Sequence, residues 1–230
     1  MILWVIEALE EMGTFDQIVI SIERPDILEG IPEIASRLQS GACQIVQSQE
    51  TLHDSVMMAM QIVGPTFLPF LITTGDNPLL TKHTLEEFMQ GAMNSSADAV
   101  AALLSRDVLQ PAYPDTVRTY LEFADGGYSG CNLFMLKTNA ALEVTEIFTG
   151  GGQFGKRFAS VLKAFGLGPL IHFILRKKSL HEFMEYLSNK WGTRVEAVVV
   201  CSAEAAIDVD KPSDYVIAKT VLQNRIDTAG

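Results

Sequence analysis

The most informative part of the chain reads Leu71-Ile72-Thr73-Thr74-Gly75-Asp76-Asn77-Pro78, an apolar strand that runs directly into a turn. In a parallel sheet, ligands bind beyond the carboxyl ends of the strands. The carboxylate of Asp76 is expected there, where it could hold a magnesium ion that bridges phosphates, and Gly75 lets the backbone approach a ligand closely. Gly, Asp, Asn and Pro also dominate ordinary turns, so the segment alone leaves both interpretations open.

On either side of this segment, short apolar strands alternate with helical patterns. Strands are predicted at 15–22, 43–47, 67–73, 97–104 and 194–201. This alternation predicts an α/β fold with three layers, α/β/α, around a doubly wound and mostly parallel sheet. Residues 117–136 alternate around a glycine-containing turn, which predicts an antiparallel hairpin-like insertion. We expect a single domain over residues 1–230 with a helical insertion at 150–190.

A second acidic segment, Asp208-Val209-Asp210-Lys211-Pro212-Ser213-Asp214, follows the last predicted strand. The side chains of Asp208 and Asp210 point the same way if the segment is extended. Two carboxylates held close repel each other unless a cation lies between them, so Asp208 is the better metal candidate and Asp210 the second. Pro212 suits the first turn of the last helix, and Asp214 is assigned mainly to capping that helix.

Three weaker candidates complete the set. Ser55, beside Asp54 at a predicted helix start, could cap the helix or offer its hydroxyl to a phosphate. Arg118 could hold an anionic acceptor, and Asn132 could line a pocket. Arg118 and Asn132 also fit an ordinary surface or turn position.

Composition narrows the classes of function. The chain has 230 residues, 48% of them hydrophobic, and a formal net charge of -11. Such an acidic protein repels phosphate backbones and anionic lipids, so we expect no nucleic-acid partner and no membrane partner. No apolar run is long enough to span a bilayer, and the three cysteines lie far apart, which favours a reducing cytoplasm.

The order of these segments resembles the MobA-like NTP transferases, a nucleotidyltransferase family. Residues 1–11 look like the helix after the family's glycine-rich loop, and Asp54-Ser55-Val56 looks like the segment that touches the nucleotide. Gly75-Asp76-Asn77-Pro78 is similar to the family's Asp-x-Pro element, and residues 208–214 are similar to its second acidic element.

The resemblance implies transfer of a nucleoside monophosphate from a nucleoside triphosphate to a small phosphorylated or hydroxyl acceptor, with release of pyrophosphate. It implies Mg²⁺ held by Asp76, Asp208 and Asp210, and a nucleotide contacted by Asp54, Ser55 and Gly75. A homodimer is compatible with it. The family's glycine-rich loop has no counterpart here, so we expect an N-terminally truncated domain, and activity of the chain as given stays open. The alternatives are a nucleotide-sugar-dependent glycosyltransferase and a non-catalytic regulatory relative.

Overall fold

A computed structural model of the chain describes residues 1–64, 68–145 and 177–229. The described helices are α1 (Ile2–Met12), α2 (Pro25–Glu29), α3 (Pro32–Ser40), α4 (Leu52–Val63), α5 (Lys82–Asn94), α6 (Arg106–Ala112), α7 (Ala141–Thr145), α8 (Leu180–Trp191) and α9 (Pro212–Ala229). The described strands are β1 (Ile18–Ile22), β2 (Cys43–Gln47), β3 (Phe70–Thr73), β4 (Ala99–Ser105), β5 (Leu121–Phe123), β6 (Gly126–Leu136) and β7 (Val195–Val200). A short 3₁₀ helix at Ala203–Ala206 connects β7 to the loop before α9.

The strands form two sheets. β1 and β2 pair in parallel, and the larger sheet has the order β3-β6-β4-β7, with β5 pairing with the first residues of β6. Because β3, β4 and β5 are all antiparallel to β6, and β7 is parallel to β4, only β6 runs against its four companions in this described sheet. The predicted α/β class with mostly parallel sheets and an antiparallel hairpin is therefore confirmed.

Helices pack on both faces of the larger sheet because the side chains of its strands alternate between faces. Val100, Ala102 and Leu104 of β4 face a core shared with α1, α5 and α9, whereas Ala99 packs on the opposite face with residues of α4 and α8. A third cluster lies around β1 and β2, where Ile6 of α1 also packs. Helix α1 therefore contacts both the large core and the core of the small sheet.

The local sequence explains where several helices begin and end. Helix α1 ends at Gly13, whose φ of 63° is the left-handed conformation that glycine adopts without strain. Helix α8 begins with a complete capping box between Ser179 and Glu182.

Most of the helical insertion expected at 150–190 lies outside the described residues. Within the described ranges, the structure contains no helix that combines the length and the apolarity needed to cross a bilayer.

Candidate functional site

The turn that carries Asp76 begins directly after β3. Asn77 is buried and donates from Nδ2 to the carbonyl of Ala205, 3.0 Å away in the 3₁₀ helix. The backbone N–H of Val209 donates to the carbonyl of Asp76 at 2.9 Å. These two contacts join the acidic turn after β3 to the acidic loop before α9, although the two segments lie at distant points of the sequence.

The loop before α9 is held at both ends. Ile207 is fully buried, so the residue before Asp208 is anchored in the core. At the other end, Oδ2 of Asp214 accepts hydrogen bonds from the backbone N–H groups of Asp210 (3.2 Å) and Lys211 (3.0 Å). Asp214 thus satisfies donors at the start of α9, which is the capping role the sequence predicts for it.

Helix α9 is also tied to the segment that follows the first acidic turn. Arg225 donates from Nη2 to the carbonyl of Leu79 at 3.1 Å, and Leu79 itself is fully buried. Helix α9 is therefore hydrogen-bonded to both acidic segments, through Asp214 to the loop before it and through Arg225 to the residues after the first turn.

Asp76, Asp208 and Asp210 converge at this junction. Each offers a carboxylate oxygen, and the chosen oxygens lie within 4.8 Å of one another. Oδ1 of Asp76 is buried without a hydrogen-bond partner, which is costly for a charged acceptor unless a cation or water reaches it. An all-oxygen set with one orphaned carboxylate oxygen suits a hard divalent ion such as Mg²⁺, so the residues fit the implied metal.

Asp208 is the most heavily bonded member of the cluster. Arg118 forms an ion pair with its Oδ1 and donates from Nη2 to its backbone carbonyl at 2.9 Å. Asn132 donates from Nδ2 to Oδ2 at 3.2 Å. Both carboxylate oxygens of Asp208 are thus engaged by neighbouring side chains, whereas Oδ1 of Asp76 is not.

The guanidinium of Arg118 is a positive charge that lies largely buried beside the acidic cluster. Its side chain is 12% exposed, and burial lowers the pKa of its guanidinium, while the charges of Asp214 and Asp210 act in the opposite direction. An arginine remains protonated in such surroundings, so Arg118 places a permanent positive charge beside the Asp208 carboxylate.

Asn132 reaches Asp208 because of an irregularity in β6. Across the pairing of β4 with β6, Ala101 lies opposite Phe134 but Leu103 lies opposite Gly130, so β6 carries extra residues in a bulge. Asn132 lies within it and has φ of 52°, a left-handed conformation that asparagine tolerates better than most residues. The bulge thus lets the Asn132 amide point toward the acidic loop, where it donates to Asp208.

Ser55 and Asp54 are engaged within their own segment. Oγ of Ser55 accepts from the backbone N–H of Gln49 and donates to the carbonyl of Thr51, both at 2.9 Å. Thr51 caps α4 by accepting from the N–H of Asp54 at 3.0 Å, and its hydroxyl donates to the Asp54 carboxylate at 2.6 Å. The cap of α4 is therefore Thr51 rather than Ser55, because the helix begins at Leu52, earlier than the sequence pattern predicts.

Gly75 lies against α1. A Cβ atom at this position would approach Cδ1 of Ile2 to 3.4 Å, so the turn packs closely on the helix.

Beside the turn, an open groove of about 240 Å³ runs between α1 and α9. Its lining includes Trp4, Pro78, Val209 and Tyr215, so an apolar surface adjoins the charged cluster.

Two features of the site were not predicted from the sequence. The sequence predicts Asn77 only as a turn residue, yet the hydrogen bond from its side chain to Ala205 joins the turn to the 3₁₀ helix. Arg118, which the sequence offers as a residue that could hold an anionic acceptor, forms an ion pair with Asp208 in the structure, and this contact is the feature that the sequence does not indicate. Its position in the segment between α6 and β5 gives no sequence signal for that contact.

Comparison with solved structures shows the fold. A hypothetical transferase from Thermus thermophilus superposes with a TM-score of 0.73 at 22% identity, covering 93% of this chain and 85% of that one. A 4-diphosphocytidyl-2C-methyl-D-erythritol synthase from Anaerococcus prevotii superposes with a TM-score of 0.56 at 14% identity, covering 96% of this chain and 88% of that one. No protein-family model and no curated protein matches the sequence. The chain therefore shares the α/β fold of these two structures.

Proposed function

We propose that the protein is a nucleotidyltransferase that binds a nucleoside triphosphate with a divalent cation. It transfers the nucleoside monophosphate to a small phosphorylated or hydroxyl acceptor and releases pyrophosphate. The observation that supports this most strongly is the convergence of Asp76 with Asp208 on a nucleotidyltransferase-type fold. An acidic protein needs a local positive charge to accept a nucleotide, and a metal held by these carboxylates would supply it.

The proposed roles follow from the contacts. Asp76 would offer its unpaired Oδ1 to Mg²⁺. Asp208 and the exposed Asp210 would supply the other carboxylate oxygens, which lie within 4.8 Å of it. When bound, the metal would neutralise charge on the phosphates and orient them for in-line attack. Asn77 and Asp214 keep the two acidic segments in register and act as positioning residues.

Titration calorimetry with each of the four common nucleoside triphosphates, with and without Mg²⁺, tests the proposal. We expect binding of at least one nucleotide that needs the metal. Asp76→Asn should lose this binding, whereas Asp107→Asn, a change at an exposed acid on α6, should keep it. Metal-independent binding, or loss of binding in both variants, would contradict the proposal.

A product assay separates this proposal from the glycosyltransferase alternative. With the nucleotide that binds and a panel of phosphorylated and hydroxyl acceptors, we expect pyrophosphate as the released product. Release of a nucleoside diphosphate from a nucleotide-sugar donor would instead support sugar transfer. Absence of any nucleotide binding would favour a non-catalytic relative.

A further inference from the structure

We propose that Arg118 is a built-in counter-cation of the acidic cluster, which holds the Asp208 carboxylate when no metal is bound and releases it when a divalent cation binds. The inference rests on the proposed function, because it concerns the same three carboxylates. It assigns Arg118 a positioning role at the metal site in place of contact with an acceptor.

The contacts of Asp208 carry the first step. Its Oδ1 is paired with Arg118 and its Oδ2 accepts from Asn132, so both oxygens already have donors. Neighbouring Asp76 has a buried oxygen with no donor at all. Each oxygen keeps a second lone pair, so a cation that binds Asp208 meets a carboxylate that it must share with these two donors or take from one of them.

Charge decides which of the two donors is compatible with a cation bound to the same carboxylate. The Asn132 amide is neutral, whereas the Arg118 guanidinium carries a full positive charge and would repel a divalent ion bound to the same carboxylate. Without a metal, the same charge is what allows three carboxylates to lie within 4.8 Å of each other. The guanidinium and the metal are thus alternative partners for one acidic site.

The surroundings of Arg118 are consistent with a side chain that has a second position. The residue comes from the segment between α6 and β5, where the adjacent Val117 is 80% exposed. Its Nε is buried and has no hydrogen-bond partner, so the observed position leaves one donor of the guanidinium unused. Release from Asp208 does not break a complete set of hydrogen bonds.

Arg106 provides a matched control in the same region. It forms a partly exposed ion pair with Glu122 of β5 and lies over the ring of Tyr120 at 4.4 Å. It therefore shares the chemistry and the neighbourhood of Arg118, but its partner is not a member of the acidic cluster.

Mn²⁺ binding without nucleotide, followed by electron paramagnetic resonance, tests the inference. We compare the wild type with Arg118→Met, Arg118→Lys and Arg106→Met, after confirming by circular dichroism that each variant is folded. Removal of the competing charge should tighten Mn²⁺ binding in Arg118→Met by roughly tenfold, a typical coupling between two linked sites. Arg118→Lys keeps the charge but loses the planar fork, so its affinity should lie between those of Arg118→Met and the wild type, and Arg106→Met should match the wild type.

The possible outcomes separate this inference from the proposed function. Wild type and Arg118→Met that bind Mn²⁺ equally well, or weaker binding in Arg118→Met, would overturn the inference and leave the metal site intact. If Arg118→Met does not fold, an Arg118→Lys affinity equal to that of the wild type overturns it instead. If no variant binds Mn²⁺ even with nucleotide present, both the inference and the proposed function fail.

Discussion

Asp76 and Asp208 sit in the same cluster but have different partners, so their neutralisation should affect the metal-free protein differently. Asp208→Asn leaves the largely buried Arg118 without its counter-charge, which we expect to lower the free energy of unfolding by about 2 kcal/mol. Asp76→Asn removes a charge that repels the two neighbouring carboxylates and attracts Arg118 less strongly than Asp214 and Asp210 do, so stability should be unchanged or higher. Urea unfolding in EDTA measures both. A larger loss for Asp76→Asn than for Asp208→Asn would contradict the assigned contacts.

The left-handed backbone conformation of Asn132 predicts how two substitutions at this residue affect stability. Asn132→Ala removes the amide, and alanine also lacks the polar side chain that makes the left-handed conformation tolerable for asparagine, so it bears the cost of about 1–2 kcal/mol of that conformation. Asn132→Gly removes the amide alone and keeps the backbone relaxed. We therefore expect the glycine variant to be the more stable of the two in urea unfolding, and the reverse order would show that the bulge differs from the one described.

Helix α4 tests whether Ser55 has a structural role. Its hydroxyl links the loop before the helix to the first turn through Gln49 and Thr51, so Ser55→Ala should cost roughly 1–2 kcal/mol of stability. Ser213→Ala, at an exposed position in the first turn of α9, serves as the control and should change stability by less than about 0.5 kcal/mol. Unchanged stability with weakened nucleotide binding in Ser55→Ala would instead support a direct contact with nucleotide.

The elements also show what sequence patterns can and cannot predict. Strand β1 and the end of α1 at Gly13 follow directly from a β-branched run and a helix-stopping glycine. The short helices α2 and α6 were not predicted, because five to seven residues give too little periodicity to detect. The hairpin was predicted, but not the insertion of β6 between β3 and β4, since strand order is set by tertiary packing.

The same limit applies to the site. Asp76 and Asp208 could be singled out because each follows a predicted strand and lies in a turn, where local chemistry is readable. The ion pair of Arg118 with Asp208 joins residues 90 positions apart, and no local pattern encodes it. The role of Asn132 depends on a bulge that appears only once β4 and β6 are paired.

At the scale of the whole molecule, the three cysteines report on the packing of the two sheets. Cys43 and Cys131 are buried, and burial raises the pKa of both thiols, to about 12 for Cys131, whereas Cys201 is exposed. The pKa of Cys201 is also raised, by its hydrogen bond to Glu87, but this thiol is accessible to a reagent. We therefore expect one thiol to react with Ellman's reagent at pH 8 in the native protein, more slowly than a free thiol, and three to react in urea. Cys201→Ser should remove the native reaction. Rapid native labelling of Cys43 or Cys131 would mean that the cores around β2 or β6 are not packed as described.

The formal net charge of -11 favours the binding of cations, and the position of a bound ion identifies the site that holds it. The most direct measurement is anomalous diffraction from crystals of the protein soaked with Mn²⁺ and the nucleoside triphosphate that binds. We predict an anomalous peak between the carboxylates of Asp76 and Asp208, with the phosphates of the nucleotide beside it. Bound nucleotide with no peak at these carboxylates, or a peak only elsewhere on the surface, would contradict the account.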